Sequence, residues 1–458
     1  MNDSDRNKIL ALLFVGVFMG ALDIGIVGPA LPAIKSAFGI NERLVSWIFT
    51  IYILFFMIGT PLMAKLSDNY GRKTIYILDV LLFAVGSAIT VSSNSFETLL
   101  IGRAIQGFGA GGIFPVASAF IGDTFPPEKR GGALGLIGSV WGFSGLLGPI
   151  LGGLLLNYGW QWLFIINIPI AFIVILLGYK ILPQSKKDTT TKFDIYGTAV
   201  LTLLVSSLAY GVNQIDTTNF VGSLSSIDTW PFLVIAVVLL PLLIKIEKIA
   251  EDPILEVVLL KSREVKIATS IAFSTGLNQT AIVFLPTFAV TILALSTSQA
   301  SLMVIPLVVT LGLSAPLIGR LLDKFGTRKV MFGGTLILVL GLFMLSILAS
   351  SFYLFIVSGA VIGIGLSSVL GSPLRYIMLS ESPSSKRAAG QALININSSV
   401  GQLVGWALIG AVIASQGSSA QGYQSAYILI GFVAVAMALL TLGLKKREEQ
   451  ILTSKANE

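Results

Sequence analysis

The sequence predicts an all-α protein that crosses a membrane many times. Of its 458 residues, 54% are hydrophobic and only 12% are charged, and the mean hydropathy is +0.88. Ordinary soluble proteins carry about 25% charged residues. Apolar runs of about 18 residues or more recur along nearly the whole chain, and each can cross a hydrocarbon core about 30 Å thick as a helix. We therefore expect no soluble domain.

A repeated loop predicts that the membrane bundle is duplicated. The loop reads AKLSDNYGRK over residues 64–73, and a related string, GRLLDKFGTRK, returns 255 positions later over residues 319–329. Each copy lies between two apolar runs. Parallel repeats of this kind build secondary transporters, in which the substrate path lies between the two halves.

Fourteen spans follow from the apolar runs, and an even number places both termini on the same side. We predict them at 8–30, 44–66, 74–92, 98–121, 131–156, 162–182, 194–214, 228–248, 264–292, 299–321, 328–349, 352–381, 389–414 and 424–445. Spans 7 and 8 are interpreted as an insert that acts as a packing spacer. The predicted domains are an N-terminal six-helix bundle (1–182), cytoplasmic linkers with two inserted helices (183–260), a C-terminal six-helix bundle (261–445) and a cytoplasmic tail (446–458).

The basic residues predict the orientation of the bundle. All but four of the 30 Lys and Arg lie in the head, the tail or alternate connections on one side, the exceptions being Lys35, Arg43, Arg103 and Arg375. By the positive-inside rule that side is cytoplasmic and holds both termini. We expect a monomer in the plasma or inner membrane. The net charge of +7 reports this topology and indicates no nucleic-acid partner.

The residues that are missing narrow the chemistry. The chain has no Cys, which excludes disulfides, thiol catalysis and Cys metal sites, and it has no His. Any proton handled here must therefore be carried by a carboxylate, a Tyr, a Lys or water. No nucleotide loop, metal cluster or nucleophile–base pairing is visible, so we expect neither an enzyme nor a metal or cofactor, with a proton gradient as the energy source. A membrane enzyme or a sensor is the alternative from another class.

Asp23 and Arg103 are the main candidates for proton coupling. A charge at the centre of a span costs about 2.5–3.5 kcal/mol, so Asp23 should face a cavity or a partner, and Arg103 lies at a similar predicted depth. The pair is either structural or a carboxylate that gains and releases a proton as its surroundings change. Asp79 in span 3 is a second coupling candidate, or it simply reaches water or a basic group. Arg375 is expected to snorkel from the inner end of span 12.

The loop after span 2 predicts a gate between the halves. Asp68 can cap a helix start, Arg72 can bridge to Asp123 at the inner end of span 4, and Arg130 stands at the start of span 5. Gly71 would allow the tight turn. Breaking this cluster would free the halves to rock. The alternative is a solvated turn.

Polar and aromatic residues within the spans are candidates for lining a substrate cavity. The amides could hydrogen-bond a ligand or join helices, and the aromatic rings could stack on flat organic molecules or belong to the belt or core. The candidates are Trp47, Trp141, Phe143, Asn278, Gln279, Asn395 and Asn397. In span 5, small residues and a proline predict close helix contact and a bend; these are Gly148, Pro149, Gly152 and Gly153.

Five stretches resemble motifs of the major facilitator superfamily, and more narrowly of its fourteen-helix drug:proton antiporter branch. Residues 64–73 resemble the helix 2–3 signature, with Ala64 where Gly is usual. Residues 100–110 resemble the helix 4 signature, whose Arg, Arg103 here, is implicated in proton transfer. The Gly-Pro and Gly-Gly pairs of span 5 match the helix 5 signature typical of antiporters.

Two further stretches resemble motifs of that branch but depart from them. Residues 160–169 resemble its Trp-Arg-Trp stretch, with Gln161 in place of Arg. Residues 22–32 resemble its helix 1 signature, with Gly28-Pro29 in place of Asn-Val. The resemblance implies a proton-coupled multidrug exporter that moves amphipathic, cationic or zwitterionic compounds out of the cell by alternating access and confers antibiotic resistance. Export of an endogenous lipid, metabolite or peptide on the same fold is the alternative.

Overall fold

The computed structural model describes residues 3–27, 30–40, 44, 47–184, 194–215, 219–251, 253–295, 297–417 and 419–456, and the secondary structure within these ranges is helical. The first eight helices are α1 Asp3–Val27, α2 Leu31–Phe38, α3 Trp47–Tyr70, α4 Arg72–Val91, α5 Phe96–Thr124, α6 Pro127–Leu156, α7 Trp162–Ile165 and α8 Asn167–Ile181. They are followed by α9 Ile195–Asn213, α10 Phe220–Leu224, α11 Trp230–Ile249 and a 3₁₀ turn, Val257–Lys261.

The remaining helices extend from Arg263 to Ala456. They are α12 Arg263–Val283, α13 Leu285–Leu293, α14 Thr297–Leu302, α15 Ile305–Phe325, α16 Thr327–Leu348, α17 Phe352–Leu370, α18 Ser372–Glu381, α19 Arg387–Ser415, α20 Ala420–Thr441 and α21 Arg447–Ala456. A 3₁₀ turn, Ser384–Lys386, precedes α19. Hereafter the N half is α1–α8 and the C half is α12–α20.

Ten helices of the described residues are long and apolar enough to cross a membrane, and two bent pairs raise the number to twelve. The helix α6 bends by 47° between Gly145 and Ile150, and α12 meets α13 at 43°. The predicted all-α, multi-pass membrane fold is therefore confirmed. The helices α9 and α11 lie where the two inserted spans were predicted, and the count of fourteen spans stays a prediction.

The duplicated loop adopts the same backbone turn twice. Gly71 ends α3 and starts α4 with φ 98°, and Gly326 does the same between α15 and α16 with φ 80°. Side chains strain this region of backbone space, so glycine is needed at both turns. The tight turn predicted at Gly71 is confirmed.

The two halves meet closely through small residues. On α6, Gly135 and Gly142 lie against Ala315, Gly319 and Gly312 of α15, where an added Cβ would meet backbone atoms. A second contact joins α3 and α5 to α19 through a cluster of buried alanines: Ala64, Ala119, Ala388 and Ala392. Such residues let helix backbones approach closely where lipid offers no hydrophobic driving force.

The inserted hairpin packs across the junction of the halves. The helix α9 contacts both α3 and α19, and α11 packs on α9. Tyr210 of α9 places its ring 6.1 Å from that of Trp47 and 4.4 Å from that of Phe232. The insert therefore packs against both halves, and its role as a packing spacer stays a prediction.

Candidate functional site

The predicted partnership of Asp23 and Arg103 is present in the structure. Arg103 Nη1 lies 2.6 Å from Asp23 Oδ2, and neither side chain is exposed. Asp23 lies on α1 and Arg103 on α5, so the pair joins two helices of the N half. Its role in proton transfer stays a prediction.

Two amides that the sequence analysis did not single out complete the ion pair. Gln106 Nε2 and Asn167 Nδ2 both donate to Asp23 Oδ1, at 2.8 and 2.9 Å, and Gln106 also donates to Ser87 Oγ. Arg103 Nη1 donates to Gln106 Oε1 at 2.6 Å. The carboxylate of Asp23 therefore accepts three hydrogen bonds, from Arg103, Gln106 and Asn167. Gln106 lies within residues 100–110 and Asn167 within residues 160–169, two stretches that resemble family motifs, and this position in a motif was the sequence signal that could have identified them.

A cavity of about 320 Å³ lies between the halves. Its walls come from α1, α3, α5 and α6 on one side and from α12, α17, α18 and α19 on the other. The walls are mainly apolar and aromatic, with hydroxyl and amide groups on the C half, and the described lining holds one charged side chain, Arg375. Three predicted candidates, Trp141, Gln279 and Asn395, lie in this wall.

Tyr52 lies between the ion pair and the cavity. Its ring faces the Arg103 guanidinium, 4.2 Å from the ring centroid, and Tyr52 also belongs to the cavity wall. Asp23 and Arg103 do not line the cavity. The sequence analysis expected Asp23 to face a cavity or a partner; it faces the partner, and the tyrosine closes it off from the cavity in this conformation.

Arg375 enters the cavity wall instead of snorkelling, so that expectation is wrong. The residue is 5% exposed, and its guanidinium carbon lies 3.6 Å from the ring centroid of Phe114, across the junction of the halves. Nη2 donates to Asn395 Oδ1 at 2.7 Å, and Nη1 lies 3.4 Å from Gln391 Oε1. Over the described residues it forms no ion pair.

Four other cavity candidates lie elsewhere. The ring of Trp47 packs against Tyr210 of α9 in the insert. Phe143 is 37% exposed. Asn278 donates to Ser274 O and Met437 Sδ within the C half, and Asn397 donates to Leu393 O on its own helix. None of the four is among the residues that line the cavity.

The predicted gating cluster lies at the end that holds both termini of the described chain. Arg72 pairs with Asp68 and, at 3.0 Å, with Asp123. Asp68 accepts hydrogen bonds from the backbone N–H groups of Ala388 and Ala389 at the start of α19, so it caps a helix of the other half. Arg387, which the sequence analysis missed, pairs with Asp123 at 2.7 Å.

The second copy of the loop makes the mirror contact. Asp323, the counterpart of Asp68, accepts from the backbone N–H groups of Gly131 and Gly132 in the second turn of α6, at 2.9 and 2.8 Å. Each half therefore binds backbone N–H groups near the start of a helix of the other. We call these contacts the latch: Asp68, Arg72, Asp123, Asp323 and Arg387.

The linker after the insert strengthens this closed end. Glu256 is buried and pairs with Lys65 of the N half at 3.2 Å and with Lys386, directly before α19 of the C half, at 2.9 Å. On α1, α3 and α12 the cavity lies toward the opposite end, and on α5, α6 and α19 it lies in the middle; between α17 and α18 it lies at the break around Gly371. The structure is therefore closed at the end that holds both termini.

A family model for the Major Facilitator Superfamily matches residues 13–246 and 267–457. The chain belongs to the Major Facilitator Superfamily. Members of this superfamily are transporters that lie in the bilayer and act on small-molecule substrates. The chain is therefore a multi-pass membrane transporter and not an enzyme.

Relatives within the superfamily are named as transporters of different kinds of substrate. The multidrug transporter protein MdtP of Bacillus subtilis (strain 168) is 28% identical over 90% of this chain and 76% of its own length. The riboflavin transporter RibZ of Clostridioides difficile (strain 630) is 29% identical over 84% of this chain and 83% of its own length. The solved structure of the proton:xylose symporter XylE superposes with a TM-score of 0.73 at 15% identity over the whole of both chains, which shows the fold.

The predicted small residues and the proline of span 5 lie where α6 bends and contacts α1. Gly148 packs against Gly25 of α1, whereas Gly153 has open space around it; the side chain of Pro149 lies outside the described residues, as do Gly28 and Pro29. Gly152 is buried. The bend of α6 spans this motif, as the proline predicted.

Two charged candidates, Arg130 and Asp79, lie outside the contacts described so far. Arg130 donates to the backbone oxygens of Phe125 and Gly122 and to the Ser454 hydroxyl, so it holds α21 beside the latch. Asp79 is fully buried, and neither carboxylate oxygen has a hydrogen-bond partner among the described residues. The alternative in which Asp79 simply reaches water or a basic group is therefore not seen there.

Proposed function

We propose that this chain is a proton-coupled exporter of amphipathic organic compounds that works by alternating access, with Asp23 as the group that gains and loses the proton. The observation that carries the proposal is the Asp23–Arg103 pair, a carboxylate at mid-span whose neighbour Tyr52 also borders the cavity. Protonation of Asp23 would remove one charge of the pair and weaken its hold on Arg103. Movement of Tyr52 would then connect that change to the cavity.

The latch supports the alternating-access part of the proposal. It closes one end through contacts that bind helix starts of the opposite half, and these contacts must break before that end can open. With the positive-inside orientation, the closed end is cytoplasmic and the structure represents the state from which substrate leaves outward. Loss of the latch acids would favour opening to the cytoplasm.

The cavity wall supports amphipathic compounds more than simple cations. Aromatic rings and amides suit flat organic molecules, and the names of several relatives at 26–32% identity describe multidrug transporters. The described wall offers a cation no carboxylate, so the cationic part of the sequence-based expectation has no support there. Export of an endogenous metabolite is the second candidate, favoured by the riboflavin transporter among the relatives.

The test is dye export by proteoliposomes under an imposed pH gradient. We expect Asp23→Asn to abolish gradient-driven export while the protein still inserts and unfolds cooperatively, although at a lower temperature because the buried Arg103 loses its counter-charge. Asp5→Asn, which removes an exposed carboxylate near the start of α1, is the matched control and should export normally. Normal pH-dependent export by Asp23→Asn would rule out the assignment. Thermal stabilisation of the purified protein by a panel of drugs, lipids, flavins and peptides separates the two cargo candidates.

A further inference from the structure

We propose that Arg375 is the anchor for an anionic group of the substrate, and that the cavity therefore prefers amphipathic carboxylates, including zwitterions, over cations of the same shape. This inference rests on the proposed transport function and specifies its substrate class. The observation behind it is that the positive charge of Arg375 has no negatively charged partner among the described residues.

The guanidinium of Arg375 is buried and oriented but not neutralised. Phe114 lies against its face, Asn395 accepts from Nη2 and Gln391 lies near Nη1, and both acceptors are neutral amides. Nε has no hydrogen-bond partner among the described residues. The five N–H donors of an arginine lie in one plane in a fixed fork, and a parallel pair of them matches the two oxygens of a carboxylate.

An unpaired arginine in a membrane protein is costly. Removing the guanidinium from water costs several kcal/mol unless an opposite charge compensates, and intramembrane charges usually mark a substrate or ion path. No Asp or Glu lines the cavity over its described wall, and none forms an ion pair with Arg375 within the described residues. A ligand that carries an anion would supply the missing charge and form a bidentate, charge-assisted hydrogen bond.

The rest of the cavity fits the apolar body of such a ligand. Its volume of about 320 Å³ suits a compact organic molecule. Phe114 and Trp141, with ring centroids 6.0 Å apart, form an aromatic wall beside the guanidinium, and Gln279 and Gln402 lie in the wall contributed by the C half. The ligand class is thus a flat aromatic molecule with a carboxylate at one end.

The experiment compares two dyes that differ only in the acid. The probes are a rhodamine with a free benzoate and the same rhodamine as its methyl ester, the first zwitterionic and the second cationic. Binding to the purified full-length protein is measured by fluorescence anisotropy, and export is measured separately in proteoliposomes. We expect the wild type to bind the free acid about tenfold or more tightly than the ester, the size of one good charge-assisted hydrogen bond.

Variants assign that preference to the guanidinium. Arg375→Gln should remove the preference: binding of the free-acid dye should weaken about tenfold, and binding of the ester should stay unchanged. Arg375→Lys keeps the charge without the fork and should retain part of the preference, with a normal unfolding transition. Arg263→Gln removes an exposed arginine at the start of α12 and should behave as wild type.

The outcomes separate this inference from the proposed function. Equal binding of acid and ester by the wild type, binding of neither dye, or an equal loss of both in Arg375→Gln overturns the anchor. Selective binding of the acid through Arg375 without proton-driven export would support the anchor and contradict the proposed function.

Discussion

Two buried arginines of the same chain have opposite surroundings. In the N half, Arg103 is paired with Asp23 and closed off from the cavity by Tyr52. In the C half, the side chain of Arg375 donates to amide oxygens alone among the described residues, and it faces the cavity. Each guanidinium lies against an aromatic ring that belongs to the N half, Tyr52 or Phe114. The two arginines therefore differ in whether a carboxylate neutralises the guanidinium and in whether the guanidinium borders the cavity.

This difference suggests a division of labour between the halves. A satisfied pair is suited to store a charge that a proton can change, because the loss of one partner is strongly felt by the other. An unsatisfied charge at a cavity is suited to bind a ligand that completes it. In this scheme the N half carries the proton and the C half selects the substrate. The following predictions test whether the two arginines differ in this way.

The largest expected effect separates the arginines by stability. Arg103→Met leaves the Asp23 carboxylate buried without its cation and should lower the free energy of unfolding by about 3–5 kcal/mol. Arg375→Met removes an unpaired charge together with two hydrogen bonds to amides, and should change that free energy by less than about 1 kcal/mol. The unfolding transitions in detergent provide the measurement, with Arg263→Met as the exposed control. Equal losses at both sites would remove the basis of the comparison.

A double variant tests the pairing itself. Asp23→Asn combined with Arg103→Met removes both charges, so it should be more stable than Arg103→Met alone, with a coupling energy of about 0.5–3 kcal/mol. Proton-driven export should remain absent, because the titrating group is gone. Unfolding transitions of the two single variants and the double variant complete the cycle. Additive losses would mean that the pair is not coupled.

The smallest expected effect concerns the orientation of Arg375. Asn395→Ala removes the acceptor 2.7 Å from Nη2, so the guanidinium should lose its fixed direction. We expect binding of the free-acid dye to weaken about threefold to tenfold, with ester binding and the unfolding transition nearly unchanged. Asn397→Ala, on the same helix but outside the cavity, is the matched control. An equal effect on acid and ester would indicate a change of cavity shape.

Several features of the site could be predicted because they depend on position along the chain. The depth of Asp23 and Arg103 follows from a constant rise per residue, and both lie on the same level of one half. Asp68 and Arg72 belong to a duplicated string whose helix-capping chemistry is local. The spans themselves follow from the thickness of the bilayer, which sets the length of every apolar run.

Other features depend on the direction in which a side chain points, which depth does not determine. Arg375 lies one turn after a break in its span at Gly371, where α17 ends and α18 begins, so its direction cannot be extrapolated from the preceding helix. Trp47 is removed from the cavity by α9, a helix distant in sequence. Asn278 and Asn395 are equally polar in sequence, but only Asn395 borders the cavity.

The sequence alone determined that this chain is a duplicated helical membrane protein with an acid and an arginine at matching depth, since hydropathy, charge and repeats act locally along the chain. Only the tertiary structure decided that Tyr52 closes this pair off from the cavity and that Arg375 is the charge left facing it. The reason is that access and counter-charge depend on how helices from both halves turn toward each other, and the same sequence pattern is compatible with many such rotations.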